Sequence, residues 1–195
     1  PYTTLFRSAW CLMPNHWHLV LWPRADGDLG RFVRRLTQRH TQAWHGRHGT
    51  RGQGHLYQGR YKAFLVQDDA HLVAVCRYVE RNPLRAGLVA AAAGWPHASL
   101  AQLRRRGASR LLDAWPLPRP AGWAATVDRP ETSQELETLL HSVQGGAPFG
   151  AAGWVAAMAD RYGLASSLRP RGRPARSPTA VRSAWSRAPR SLPST

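Results

Sequence analysis

The chain has 195 residues, 43% of them hydrophobic, and carries 27 Lys+Arg against 11 Asp+Glu for a formal charge of +16. That length suits one domain with appendages, and so strong a basic excess points to a polyanionic partner. No apolar run reaches the roughly 18 residues of a membrane span, no signal-peptide pattern opens the chain, and two cysteines without CxxC spacing argue against a disulfide framework or a structural zinc site. The expectation is a protein of a reducing cytoplasm, with no membrane partner.

All but one of the bases are arginine, Lys62 being the exception. Arginine offers a planar fork that binds phosphate bidentately and stacks on bases. A GC-rich genome would also raise Arg along with Ala, Gly and Pro, but it does not explain the scarcity of acids. The basicity has two seats: 13 bases face 5 acids over residues 1–100, 7 face 6 over 101–164, and 7 face none over 165–195.

In chain order, Pro1-Tyr2-Thr3-Thr4-Leu5-Phe6-Arg7-Ser8 reads as the translation of a widely used sequencing-library adapter. Residues 1–8 are therefore expected to be non-native, with genuine sequence from about Ala9 in mid-strand; a natural N-terminus is the alternative. Trp10 to Met13 and His16 to Trp22 are predicted strands around a Pro14-Asn15 turn. Side chains alternate in a strand, so His16 and His18 share a face with Val20, while Trp17, Leu19 and Leu21 face the other way. Two imidazoles converging on one point suit a divalent metal; two partly buried, hydrogen-bonded histidines are the alternative.

Leu29, Phe32, Val33, Leu36, His40 and Ala43 follow helical spacing, with Arg31, Arg34, Arg35 and Arg39 largely on the other side. That arginine face is either simply solvated or a phosphate contact. Gly46 to Gly59 reads as a polar loop and Tyr61 to Val66 as a short strand. Asp68 or Asp69 caps a helix to about Arg81, with Leu72, Val75, Cys76 and Val79 as its buried stripe and Asn82-Pro83 as its stop. Tyr78 and Asn82, four apart, share one surface if the last turn stays helical.

Residues 101–130 read as a connector of uncertain order, pinned by Trp95-Pro96 and Trp115-Pro116. Glu131 to Ser142 and Trp154 to Tyr162 are predicted short helices. Residues 165–195 lack acids and most aliphatics and are expected to be disordered. Within them Pro170-Arg171-Gly172-Arg173-Pro174 resembles an AT-hook core, which lies along a narrow minor groove; a generic phosphate-binding tail is the alternative.

Two histidines on a strand and a tyrosine with an amide one helical turn apart suit phosphodiester transfer. Mg²⁺ or Mn²⁺ on His16, His18 and the Asn82 oxygen would polarise the scissile phosphate, and Tyr78 would attack it. A packing tyrosine is the alternative reading of Tyr78, and Tyr57 and Tyr61 are rival nucleophiles. Arg60, Lys62, Arg77, Arg81 and Arg85 surround this site in sequence and are candidate DNA-backbone contacts. Trp17, Tyr57 and Tyr61 are candidate stacking platforms for unpaired bases, with core packing the stronger role for Trp17.

The runs CLMPNHWHLVL, GHLYQGRYKAFLV and RYVERNPLRAGLV resemble, in order, motifs of the REP-associated tyrosine transposases. These are a branch of the single-tyrosine HUH transposases related to the insertion-sequence type acting on single-stranded DNA. Pro148-Phe149-Gly150 with Trp154, and then Leu168 to Pro174, look like the C-terminal signature of its longer members. The resemblance implies that His16 and His18 are the HUH pair, Tyr78 the catalytic tyrosine and Asn82 the third metal ligand. It implies an α+β fold, a ferredoxin-like antiparallel sheet flanked by helices, whose first strand and helix would precede Ala9 and are expected to be missing.

The expected organisation is a truncated catalytic domain over 9–100, a connector and small helical region over 101–164, and a basic tail over 165–195. The implied function is cleavage and rejoining of single-stranded or hairpin DNA, such as palindromic repeats, through a 5′-phosphotyrosine. The protein would be a monomer or homodimer in a bacterial cytoplasm, on nucleoid DNA. Two rivals are a non-catalytic, sequence-specific DNA binder and a metal-dependent nuclease that activates water.

Overall fold

A computed structural model describes residues 5–103 and 111–169, and it is α+β. Strand β1 (Leu5–Leu12) and strand β2 (Trp17–Pro23) form an antiparallel hairpin with Trp10 opposite Leu19 and Cys11 opposite His18. The turn between them closes through Met13 N–H donating to His16 C=O at 2.8 Å. The register slips between Arg7 and Ala9. At this bulge the Ser8 carbonyl accepts from the Trp115 indole at 2.7 Å, an unpaired backbone group of the kind bulges create.

The other edge of β1 is satisfied by loops rather than a strand. Leu12 N–H donates to His97 C=O, Trp10 N–H to the Ser99 hydroxyl, and Asp113 exchanges backbone and carboxylate bonds with Arg7. The Trp95 indole donates to Leu12 C=O at 2.8 Å. Both predicted tryptophan pins therefore hold, and the described part of the 101–130 connector includes helix α4 (Trp123–Asp128), whose Trp123 and Val127 enter the core. Helix α3 (Ser99–Leu103) was not foreseen, its single turn being too short for a periodic signal.

Helix α1 spans Asp28–His48, five residues beyond Ala43, and ends at Gly49, whose φ of 64° suits glycine. The predicted loop thus begins three residues later than Gly46. The predicted strand over 61–66 is absent: only Val66 pairs, in a single parallel bridge with Phe149. Among the described residues no flanking strand lies there to complete a ladder, so the β-prone residues run as irregular chain.

Helix α2 (Ala70–Arg85) is capped by the Asp69 side chain, which accepts from His71 N–H at 2.8 Å. Contrary to expectation, Asn82-Pro83 does not end it. Pro83 has no N–H for the Val79 carbonyl. The Asn82 side-chain amide instead donates to Tyr78 C=O at 3.0 Å and, more weakly, to Val79 C=O at 3.5 Å. The helix closes a turn later through Ala86 N–H on Asn82 C=O.

Helix α5 (Ser133–Gly145) opens on a capping box of Thr132 and Glu135, and α6 (Ala152–Arg161) follows. The cap moves the start of α5 past Glu131, which serves elsewhere. Residues Ala165–Leu168 form a 3₁₀ turn where disorder was expected. Arg171 and Arg173 of the AT-hook-like sequence lie outside the described residues.

The core gathers Ala9, Cys11 and Val20 of the hairpin, the stripe Leu72, Val75, Cys76 and Val79 of α2, and Trp123 and Val127 of α4. Cys11 and Cys76 are free and buried. Burial, helped by the charge of Glu80, pushes the Cys11 thiol up to about 12 and Cys76 higher still, so both stay protonated packing groups.

Candidate active site

The hairpin sets the histidines and α2 sets their partners. His18 lies within β2 and His16 one residue before it, and their rings meet edge to face with centroids 4.9 Å apart. The β1–β2 pairing lays His18 toward α2, where its ring meets that of Tyr78 edge to face at 5.9 Å. Asn82 follows one turn along α2, as the i, i+4 spacing requires. His16, His18, Tyr78 and Asn82 therefore occupy one neighbourhood.

Their protonation states differ by environment. Burial chiefly, then the neighbouring His16 and Arg85, pushes the His18 imidazole down to about 4, so it is neutral near pH 7. Its Nε2 is buried and has no hydrogen-bond partner among the described residues. A proton on His16 Nδ1 donates to Asn15 Oδ1 at 2.7 Å and presents the lone pair at Nε2. That is how a second hydrogen bond orients a ligating histidine. A neutral His18 imidazole with an orphaned nitrogen, beside a second histidine, fits a divalent cation. No group of three or more His, Cys, Asp or Glu gathers among the described residues, so further ligands would be amide, substrate or water oxygens.

Tyr78 is buried, and burial raises its phenol above the ordinary value. The Arg85 guanidinium, 4.2 Å over the Tyr78 ring, opposes that shift by charge and hydrogen bonding, while Glu131 adds to it. Asn82 is also buried, and its Oδ1 accepts from Arg85 Nη2 at 2.6 Å. In this arrangement the proposed third metal ligand is held by an arginine.

The basic residues divide sharply. Arg77 donates to the Arg129 and Pro130 carbonyls, and Arg81 to the Val127 and Asp128 carbonyls as well as pairing with Glu131 at 3.1 Å. Arg85 approaches Glu131 at 3.8 Å. These three, expected as DNA contacts, latch residues 127–131 onto α2. Arg34, Arg39, Arg60 and Lys62 are exposed, as are Arg35 and Arg31, the latter pairing with Asp28 at 2.6 Å. Tyr57 bonds His40 at 2.6 Å and Tyr61 stands exposed, whereas Tyr78 is in ring contact with His18. Trp17 is only partly buried.

Two carboxylates went unnoticed in the sequence. Glu131 carried no local signal. Glu80 did: it lies four residues after Cys76 on the buried stripe, and it is fully buried, accepting from the Ser99 hydroxyl and from the Trp123 indole at 2.6 Å. It ties α2 to α3 and α4 behind the Tyr78 face.

No helix among the described residues is long and apolar enough to cross a membrane. Neither curated proteins nor solved structures give a match to this chain. A family model described as "Transposase IS200 like" does match, over residues 6–82, a range that holds both histidines, Tyr78 and Asn82. Residues 6–82, less than half of the chain, are thus similar to the IS200-like transposases.

Proposed function

We propose that the protein is a REP-associated type of tyrosine transposase that cleaves and rejoins single-stranded or hairpin DNA at Tyr78. The observation that carries this reading is the edge-to-face contact of Tyr78 with His18, itself beside His16, inside the transposase-like segment. The Tyr78 oxygen attacks the scissile phosphorus, the bond to the 3′ oxygen breaks, and the 5′ phosphate stays on the tyrosine. The phenol's proton is lost and the leaving 3′ oxygen gains one. A second 3′-hydroxyl reverses the step on another end and joins strands without a nucleotide cofactor.

His16 and His18, with the Asn82 oxygen once Arg85 releases it, would hold Mg²⁺ or Mn²⁺. Such an ion supplies Lewis-acid polarisation of the phosphate. Arg85 stabilises negative charge as the Tyr78 proton departs, the role its position over the ring supports.

A second reading, a DNA binder without chemistry, draws on the engagement of Asn82 by Arg85. Labelled single-stranded hairpin DNA with Mn²⁺ on a denaturing gel separates the two. The tyrosine mechanism gives a labelled band of protein mass that disappears in Tyr78→Phe and His16→Ala. DNA binding with no such band selects the binder, and cutting that survives Tyr78→Phe selects a water-activating nuclease.

A further inference from the structure

We propose that α1 and the segment after it, residues 49–62, form a rail for unpaired nucleic acid, its bases stacking on the Trp44–His48 pair and on Tyr61 while arginines take the phosphates. This rests on DNA being the partner, and it uses residues other than those of the Tyr78 centre.

Five aromatic groups lie along the helix. His40, Trp44 and His48 recur at four-residue spacing and so share a face. The Trp44 and His48 rings stack at 4.0 Å and 25°, and His40 meets Trp44 edge-on at 6.2 Å. Tyr57 returns from the following segment to bond His40 and contact its ring edge-on. The Tyr61 hydroxyl lies 4.0 Å from where a side chain at Gly30 would begin. From Gly30 to His48 a helix rises about 27 Å.

This row is open to solvent. Val33, on the same face nearer the helix start, is buried, but Trp44 remains 42% exposed and Tyr61 46%. Large aromatics held by neighbours yet uncovered are what a stacking surface requires. The charge identifies what covers them. Exposed Arg47, Arg60 and Lys62 lie nearest the row, and the one acid of residues 28–62, Asp28, is buried. A second copy of the chain would bring the same charge onto this face, and like charges there oppose pairing. Duplex DNA satisfies the arginines but keeps its bases stacked away from Trp44. A single strand satisfies both sets.

The test uses fluorescence anisotropy of the whole protein with a labelled oligothymidine and with a duplex of equal length. Trp44→Ala should weaken oligothymidine about tenfold, within the range of one lost base stack, and duplex by less than about twofold. Trp44→Phe should restore most of the loss. Joint Arg47→Gln and Arg60→Gln substitution should weaken both forms and lower the salt slope by about two. Three results would overturn the rail: unchanged oligothymidine affinity in both Trp44→Ala and Tyr61→Ala, an equal loss on both DNA forms, or a DNA-free dimer in sedimentation that Trp44→Ala dissolves. Adduct formation at saturating hairpin separates this from the reading above. Trp44-dependent binding with no Tyr78 adduct keeps the rail and removes the tyrosine mechanism.

Discussion

Arg85 donates from Nη2 to Asn82 Oδ1 at 2.6 Å, taking the oxygen that a cation on His16 and His18 would need. The same side chain has a second seat within reach. Arg85 Nη1 and Glu131 Oε1 are both buried, both lack a hydrogen-bond partner among the described residues, and stand 3.8 Å apart. Movement toward Glu131 would free Asn82. Removing the guanidinium in Arg85→Ala should therefore tighten Mn²⁺ binding about tenfold, the low end of what a charge-assisted bond is worth. Glu131→Gln, which removes the alternative seat, should weaken it. Electron paramagnetic resonance titration of Mn²⁺ reads both. Weaker binding in Arg85→Ala would mean that Arg85 supports Asn82 rather than competes for it.

Glu80 anchors the scaffold behind the site. Glu80→Ala strands the Trp123 indole and cuts the Ser99 link, an expected loss of about 3 kcal/mol in urea unfolding. Glu80→Gln should be close to neutral, because Ser99 also lies 3.1 Å from Trp10 C=O. The hydroxyl can donate there and accept from the new amide. Burial raises the Glu80 carboxyl above its ordinary 4.5 despite the two hydrogen bonds that lower it. The folded state thus holds its proton more tightly than the unfolded chain, and this contribution fades as pH rises through the folded value. Wild-type stability should fall more steeply than that of Glu80→Gln above about pH 4.5.

The grouping of His16, His18, Tyr78 and Asn82 was legible because it depends on local geometry on regular elements. Strand alternation aligns His16 with His18, and helical spacing aligns Tyr78 with Asn82; the hairpin and α2 needed only to pack together. The misjudged parts depend on partners distant in sequence. Pro83 reads as a helix stop until the Asn82 side-chain amide is seen reaching the Val79 carbonyl that it leaves. For Arg77 and Arg81, read as DNA contacts, nothing nearby in sequence reveals that they also hold residues 127–131. The Tyr61–Val66 run has β-forming side chains but no neighbour strand among the described residues, and composition alone does not reveal that. Glu80 is the exception, since its place on the apolar stripe announced a buried acid.

The latch on α2 predicts opposite outcomes for two arginines that look alike in sequence. Arg81 is largely buried and is the closer partner of Glu131. Arg81→Ala should cost about 3 kcal/mol, as breaking a buried pair does, and should leave the salt slope of DNA binding unchanged at temperatures where the variant is folded. Arg39 is exposed on α1. Arg39→Gln should change stability by less than about 0.5 kcal/mol and reduce the salt slope by about one. Thermal unfolding and anisotropy across salt concentrations measure the two. A lower salt slope in Arg81→Ala would restore that residue to the DNA contacts.

His18 gives the site an acid limit. Its folded value near 4 lies below the unfolded 6.5, so the unfolded chain binds the extra proton between those two pH values. Stability contributed by neutral His18 is therefore complete above about 6.5 and is lost as pH falls toward 4. His18 is only partly buried, so solvent screening reduces the effect to on the order of 1 kcal/mol. Urea unfolding of wild type and His18→Gln at several pH values isolates this share, because the other histidines are common to both proteins. The difference between the two profiles should grow steadily from pH 4 to 6.5 and then level off. A constant difference across that range would mean that His18 titrates alike in the folded and unfolded states, and that the pocket facing Tyr78 is wetter than its geometry implies.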